Sequence, residues 1–187
     1  MTLPRTGSAP ESGPRRLVLV GFMGCGKTTV GQTLARLMEW SFQDMDRWIE
    51  DRAGQSVRKI FDTHGEDYFR AEELRVAELA QGLDRVVVAA GGGAFVAPET
   101  RRALQSGALT VWLKCDWDTV VSRVGLGGIR PKATNRGRMR ELFTEREPVY
   151  RQADTTVDVT SLTIDGAARQ IAKLALSARG GQAAAGE

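Results

Sequence analysis

The chain alternates short apolar runs with longer stretches in which apolar residues recur every three or four positions. LVLV (17–20), VVVAA (86–90) and LTVWLK (109–114) have few polar interruptions, as expected of parallel strands covered on both faces. The first predicts a strand over about 16 to 21, and SFQD (41–44) and TVDV (156–159) are two further strand candidates. Helical spacing appears in VGQTLARLM (30–38), in one or two helices over 56–81, and over 97–104, 118–124, 135–150 and 164–176. Strands alternating with helices predict an α/β fold with a parallel sheet wrapped by helices. No internal repeat and no second domain is visible.

The first strand runs directly into GFMGCGKTT (21–29). Gly21, Gly26, Lys27 and Thr28 fit G-x-x-x-x-G-K-[ST], the phosphate-binding P-loop. Glycines let successive backbone N–H groups turn inward around an anion, because no Cβ blocks the required φ/ψ. The helix that follows offers free N–H groups and the positive end of its dipole. Gly24, Cys25, Gly26, Lys27, Thr28 and Thr29 are the expected nucleotide-binding stretch. Lys27 brings a mobile charge to the β- and γ-phosphates, and Thr28 brings a hydroxyl to Mg²⁺. Cys25 fills a position the pattern leaves free.

Composition narrows the remaining classes. A chain of 187 residues, 42% hydrophobic and 26% charged, suits one soluble globular domain. The expected division is a flexible leader over 1–14, one domain over 15–177 and a flexible tail over 178–187. A net charge of +3 from dispersed basic residues does not argue for nucleic acid. The two cysteines, Cys25 and Cys115, suggest neither a disulfide framework nor a zinc site. No apolar run approaches the ~18 residues of a membrane span, and the leader lacks the apolar core of a signal peptide. A monomer in the cytoplasm, with no nucleic-acid or membrane partner, is expected.

Other stretches carry candidate chemistry. Asp44 and Asp46 follow the second strand, where parallel α/β sheets bind ligands. They would suit an ATP–Mg²⁺ site, one holding the metal through water and one accepting a hydroxyl proton. Alternatively they are a solvated strand end with Asp46 as a helix N-cap. Gly91–Gly93 follows the third strand and allows either close approach of a ligand or a flexible loop. Arg70 and Glu73 share a helix face, as an oriented carboxylate or phosphate clamp or an ordinary ion pair. Arg146 carries the same two readings. GLGGIRPKATN (125–135) is a candidate mobile lid. The lone His64 reads as a turn residue, and Trp40, Trp48, Trp112 and Trp117 read as packing.

Together these blocks resemble the shikimate kinases. GFMGCGKTTVG resembles that family's P-loop, including Met23 and the trailing Gly31. FQDMDRWIE resembles its Asp-x-Asp segment, and IFDTHGEDYFRAEE its I-F-x-x-x-G-E-x-x-F-R-x-x-E block. VVAAGGG resembles its glycine triplet, Arg130-Pro131 the start of its lid motif, and REPVYRQAD its R-x-P-x-Y-x-x-x-A-D segment. The matches fall in one order over about residues 17 to 175. The resemblance implies the P-loop fold of nucleoside monophosphate kinases: a three-layer α/β sandwich, a five-stranded parallel sheet in order 2-3-1-4-5, and a mobile lid. It implies phosphoryl transfer from ATP, with Mg²⁺, to the 3-hydroxyl of shikimate, a step of aromatic amino acid biosynthesis. Asp44, with Thr28, would hold the magnesium shell. Asp46 would bind a substrate hydroxyl and act as base. Arg70 and Arg146 would grip the substrate carboxylate, with Glu73 holding Arg70. Gly92 and Gly93 would offer N–H groups to the substrate, and Phe61 and Phe69 would wall the ring pocket. Arg123 and Arg130 would sit at the nucleotide, Arg130 also reaching the transferred phosphoryl beside Lys27 when the lid closes. The lid departs from the family's Arg-Pro-Leu-Leu at Lys132 and Ala133.

Gluconate and adenylate kinases share the P-loop and fold, but the set Asp46, Arg70 and Arg146 suits a hydroxylated carboxylate ring better than a nucleotide acceptor. A GTPase switch would use D-x-x-G, which DTHG (62–65) fits. That stretch lies in a helical pattern, however, and no Asn-Lys-x-Asp motif accompanies it.

Overall fold

A computed structural model describes residues 14–126 and 136–181. Most of the expected leader and lid, with Arg130, Lys132 and Ala133, and the end of the tail lie outside the described residues. β1 (Arg16–Val20), β2 (Ser41–Asp44), β3 (Val86–Ala89), β4 (Leu109–Lys114) and β5 (Thr155–Asp158) form one sheet in the order β2-β3-β1-β4-β5. Every neighbouring pair is parallel. The helices are α1 (Lys27–Met38), α2 (Met45–Ala53), α3 (Val57–Ala80), α4 (Pro98–Gln105), α5 (Trp117–Leu126), α6 (Arg136–Tyr150) and α7 (Ile164–Gly181). α1 packs on α7, and α3 packs on α2 and α4, so helices cover both faces of the sheet. The strand order is the one the family resemblance implied.

The apolar runs become the central strands because both their faces need cover. Leu17, Val18, Leu19 and Val20 are each 0% exposed, and burying each such side chain contributes roughly 1.5–3 kcal/mol. β1 lies between β3 and β4, with Leu19 opposite Ala89 and Val111. Asp44 in turn stands opposite Ala89. This register brings the P-loop, the Asp44–Asp46 segment and the glycine triplet to one edge of the sheet.

Two local features differ from the sequence reading. The alternative with Asp46 as an N-cap does not hold, because Asp44 is the cap. Asp44 has extended backbone (φ −95°, ψ 121°), and its Oδ1 accepts the N–H groups of Asp46 at 3.1 Å and Arg47 at 3.4 Å. Asp46 thus lies in the first turn of α2, a helix absent from the expected set. α3 is the stretch expected to hold one or two helices, and it breaks at Gly65 (φ 81°, ψ −179°). At the C-terminus, α7 runs to Gly181, past the expected end at 176.

Asp154, in the REPVYRQAD block, ties α6 back to the sheet. Its Oδ2 accepts the N–H and the hydroxyl of Thr110, both at 2.7 Å, and its own N–H donates to Thr110 Oγ1 at 2.9 Å. Thr110 is fully buried, so losing the carboxylate strands two donors. Asp154→Ala is expected to cost about 2 kcal/mol, which lowers Tm by roughly 4–8 °C. Thermal unfolding checks this, and an unchanged Tm would remove Asp154 from the framework.

Candidate functional site

The carboxyl ends of β1, β2 and β3 open into a cleft of about 350 Å³. Gly24, Gly26, Lys27, Thr28 and Thr29 line one side, Asp44 and Asp46 another, and Gly92 and Arg123 close it. The P-loop turns through Gly24 (φ 80°) and Gly26 (φ 97°), backbone angles that favour glycine over any residue with a Cβ. A Cβ on Gly24 would also stand 2.8 Å from Val124 Cγ2, because α5 lies against the loop. Arg123 Nη1 donates to Cys25 O at 3.4 Å. Lys27 Nζ donates to Gly21 O at 2.8 Å and Phe22 O at 3.0 Å, which holds the ammonium within the loop. Thr28 Oγ1 donates to Asp44 Oδ2 at 2.8 Å.

Side chains crowd two glycines of the triplet, Gly91 and Gly93, whereas a Cβ on Gly92 would meet only ordinary contacts. A Cβ on Gly91 would lie 2.7 Å from Asp46 Oδ1 and 2.8 Å from Glu73 Oε1, and one on Gly93 would lie 2.5 Å from Arg70 Nη1. The two carboxylates and the Arg70 guanidinium therefore pack directly on the triplet's backbone. Arg70 Nη2 donates to Glu66 Oε1 at 2.8 Å, and its Nη1 donates to Glu73 Oε2. Burial works against the charge on Arg70, and the two glutamates more than offset it, so its pKa stands above the ordinary value. Burial likewise pushes the Glu73 carboxyl up; Arg70 and Arg146 pull it down, while the nearby Asp46 charge pushes it further up. Arg146, on α6, is buried, and its Nη1 donates to Gly92 O at 2.8 Å. Two aromatic rings back the cations. Arg70 lies 5.7 Å from the Phe69 ring centre and Arg146 lies 5.9 Å from that of Phe22. Phe61 and Phe69 stack at 4.7 Å across the Gly65 break, which sets both rings on one wall.

Lys27, Thr28, Asp44, Asp46, Gly92 and Arg123 line the cleft itself, whereas Arg70, Glu73 and Arg146 meet it through the glycine triplet. Phe69, with Phe61 stacked on it, stands beside Arg70. Some neighbours had been given no role from the sequence. A second cavity, of about 200 Å³, shares Gly26, Thr29 and Arg123 with the cleft and continues it. Cys25 and Val30 line it from the P-loop side, and Val159, Leu162, Thr163, Ile164 and Ala167 line it from the β5–α7 connection. Only the pairing of β5 with β4 brings that connection beside the P-loop, so no local motif marks it. Tyr150 was missed too; its hydroxyl donates to Gly92 O at 2.6 Å. Cys25 and Cys115 are buried free thiols, and burial pushes the Cys115 thiol up to about 12. His64 meets Gln55 and Tyr68 and lines neither of these cavities. DTHG lies within α3 and ends at its break at Gly65. Among the described residues no helix is long and apolar enough to cross a membrane.

Comparison with known proteins agrees with this arrangement. The shikimate kinase family model matches residues 23–176. A shikimate kinase of Bradyrhizobium diazoefficiens is 45% identical over 78% of this chain and 72% of its own. One of Caldanaerobacter subterraneus subsp. tengcongensis is 37% identical over 89% of this chain and 99% of its own. The solved structure of shikimate kinase from Acinetobacter baumannii in complex with shikimate superposes with a TM-score of 0.84 at 33% identity, covering 89% of this chain and 95% of that one. With its P-loop, sheet order and family match agreeing over most of its length, this chain belongs to the shikimate kinase family of ATP-dependent phosphotransferases.

Proposed function

We propose that the chain transfers the γ-phosphoryl of ATP to the 3-hydroxyl of shikimate, giving ADP and shikimate 3-phosphate, with its own residues in the following roles. The P-loop N–H groups from Gly24 to Thr29 cradle the phosphates, and Lys27 moves from the loop carbonyls onto them. The purine lies in the second cavity, whose apolar β5–α7 wall and Arg123 suit the two faces of a flat base. Arg70 and Arg146 take the acceptor carboxylate, and Asp46 takes the hydroxyl. Arg130 contributes from the lid to the transferred phosphoryl.

Thr28 and Asp44 are suited to Mg²⁺, because their side-chain oxygens lie 2.8 Å apart beside the phosphate loop. Among the described residues no three His, Cys, Asp or Glu side chains gather into a metal group. Phosphate oxygens and water would supply the remaining ligands, as Mg²⁺ usually requires at nucleotide sites. Held by Thr28 and Asp44, the ion would supply positive charge that offsets the charge developing on the transferred phosphoryl. The acceptor oxygen bonds to the γ-phosphorus as the bond to the β-bridging oxygen breaks. The hydroxyl proton passes to the Asp46 carboxylate, and ADP leaves with the electron pair of the broken bond.

The single observation that carries this reading is the glycine triplet, which touches Asp46 on one side and Arg70 and Arg146 on the other. A hydroxylated carboxylate spanning that gap meets a base at one end and cations at the other. The test is coupled ADP release with ATP–Mg²⁺ and shikimate, gluconate, AMP or no acceptor. Release should respond to shikimate, and release that ignores shikimate but follows gluconate or AMP would reject the reading.

The carboxylate grip makes its own prediction. Lys cannot reproduce the two-pronged contact of a guanidinium, so Arg70→Lys is expected to weaken shikimate binding by about 2–4 kcal/mol. That appears as a rise in shikimate KM of roughly 30-fold or more, with ATP KM little changed. Steady-state kinetics in both substrates checks it, and an Arg70→Lys enzyme with the parent's shikimate KM would remove Arg70 from the grip.

A further inference from the structure

Gly92 and Gly93 are joined by a trans peptide, so fixing the Gly92 carbonyl aims the Gly93 N–H in the opposite direction. Two donors from α6 hold that carbonyl. Arg146 Nη1 reaches it at 2.8 Å and the Tyr150 hydroxyl, one helical turn on, at 2.6 Å. Both of its lone pairs are thereby taken. The peptide is the central one of a turn closed by Ala94 N–H to Gly91 O at 3.1 Å. Flanking glycines offer little intrinsic resistance to its rotation within that turn, and the two bonds to the Gly92 carbonyl oppose it. One of the two donors has another task, because the proposed function assigns Arg146 to the substrate carboxylate.

We infer that Tyr150 is a positioning residue for phosphoryl acceptor binding: its hydroxyl keeps the Gly92–Gly93 peptide turned, with the Gly93 N–H toward the acceptor, while Arg146 shifts from the Gly92 carbonyl to the incoming carboxylate. This inference rests on that assignment of Arg146. Tyr150 is suited to the task. It is 2% exposed and its ring lies 6.3 Å from that of Trp112, so the hydroxyl is held in place by packing. Burial also raises its pKa, which keeps the hydroxyl a donor across the working pH range. Without it, Arg146 would leave a part-buried carbonyl without a protein donor each time shikimate bound, and that penalty would fall on the bound state alone.

Tyr150→Phe removes only the hydroxyl. The expected result is a rise of about tenfold in shikimate KM, with kcat, ATP KM and Tm close to the parent's, because Arg146 still satisfies Gly92 in the free enzyme. Arg146→Ala and the double variant complete a cycle read by Tm without substrate. Each single variant leaves one donor on Gly92, so the double variant should lose more Tm than the two singles combined. Three results would overturn the inference: a shikimate KM within about twofold of the parent in Tyr150→Phe, a parallel rise in both KM values with a lower Tm, or additive Tm losses in the cycle. If instead Arg146→Ala leaves shikimate KM unchanged, the carboxylate grip itself fails, and the inference fails with it.

Discussion

Asp46→Asn is expected to lower kcat by about 10²-fold or more while leaving ATP KM near the parent's. The substitution keeps the side chain's size and removes its charge. The first turn of α2 should survive, because the cap that holds the Asp46 N–H is Asp44, not Asp46 itself. The grip on the acceptor should survive too. The Asp46 charge is one of the influences pushing the Glu73 carboxyl up, so its removal favours the ionised Glu73 that pairs with Arg70. What is lost is the anion that orients the acceptor hydroxyl and takes its proton. A loose transition state draws modestly on a base, so orientation accounts for much of the effect. Steady-state kinetics separates the outcomes: a variant that kept kcat and lost ATP binding would move Asp46 to the magnesium shell.

Lys27→Met is expected to remove activity, a fall of about 10³-fold or more, and to weaken ATP as well. Phosphoryl transfer asks the protein chiefly for position and charge neutralisation. Lys27 is the loop's own cation, held at 2.8 Å and 3.0 Å from two loop carbonyls beside the cleft. Met matches its length and supplies no charge. Lys27→Arg should not restore activity, because the rigid guanidinium fork does not fit a hollow shaped around a compact ammonium. Single-turnover phosphoryl transfer with saturating ATP measures the effect, and parent-like turnover in Lys27→Met would detach this lysine from the reaction.

The central strands and the P-loop were legible in the sequence because each is a local signal: a run buried on both faces, and a loop whose φ angles need glycine. α2 was not. It has nine residues, and its start coincides with the end of β2, with Asp44 serving both elements. β2 itself has no apolar run, and its burial is partial. The break at Gly65 was left open between one helix and two, because the apolar spacing continues through it. Among residue roles that rest on distant pairings, that of Arg146 was legible only through the family resemblance, and those of Tyr150 and the β5–α7 wall were not legible at all. Arg146 and Tyr150 meet Gly92 from 54 and 58 positions away, and the β5–α7 wall of the second cavity depends on sheet order. The crowding of Asp46, Glu73 and Arg70 on the triplet turns a string of glycines from a flexible loop into a close-packed wall. No pattern of residue types distinguishes those two states.

The central claim is that one cleft holds the acceptor between Asp46 and the two arginines. The most direct measurement is a crystal structure of the protein with ADP, Mg²⁺ and shikimate. The account predicts the shikimate carboxylate between Arg70 and Arg146 and the 3-hydroxyl about 2.6–3.2 Å from the Asp46 carboxylate. A carboxylate bound away from both arginines, or a different ring hydroxyl at Asp46, would contradict it.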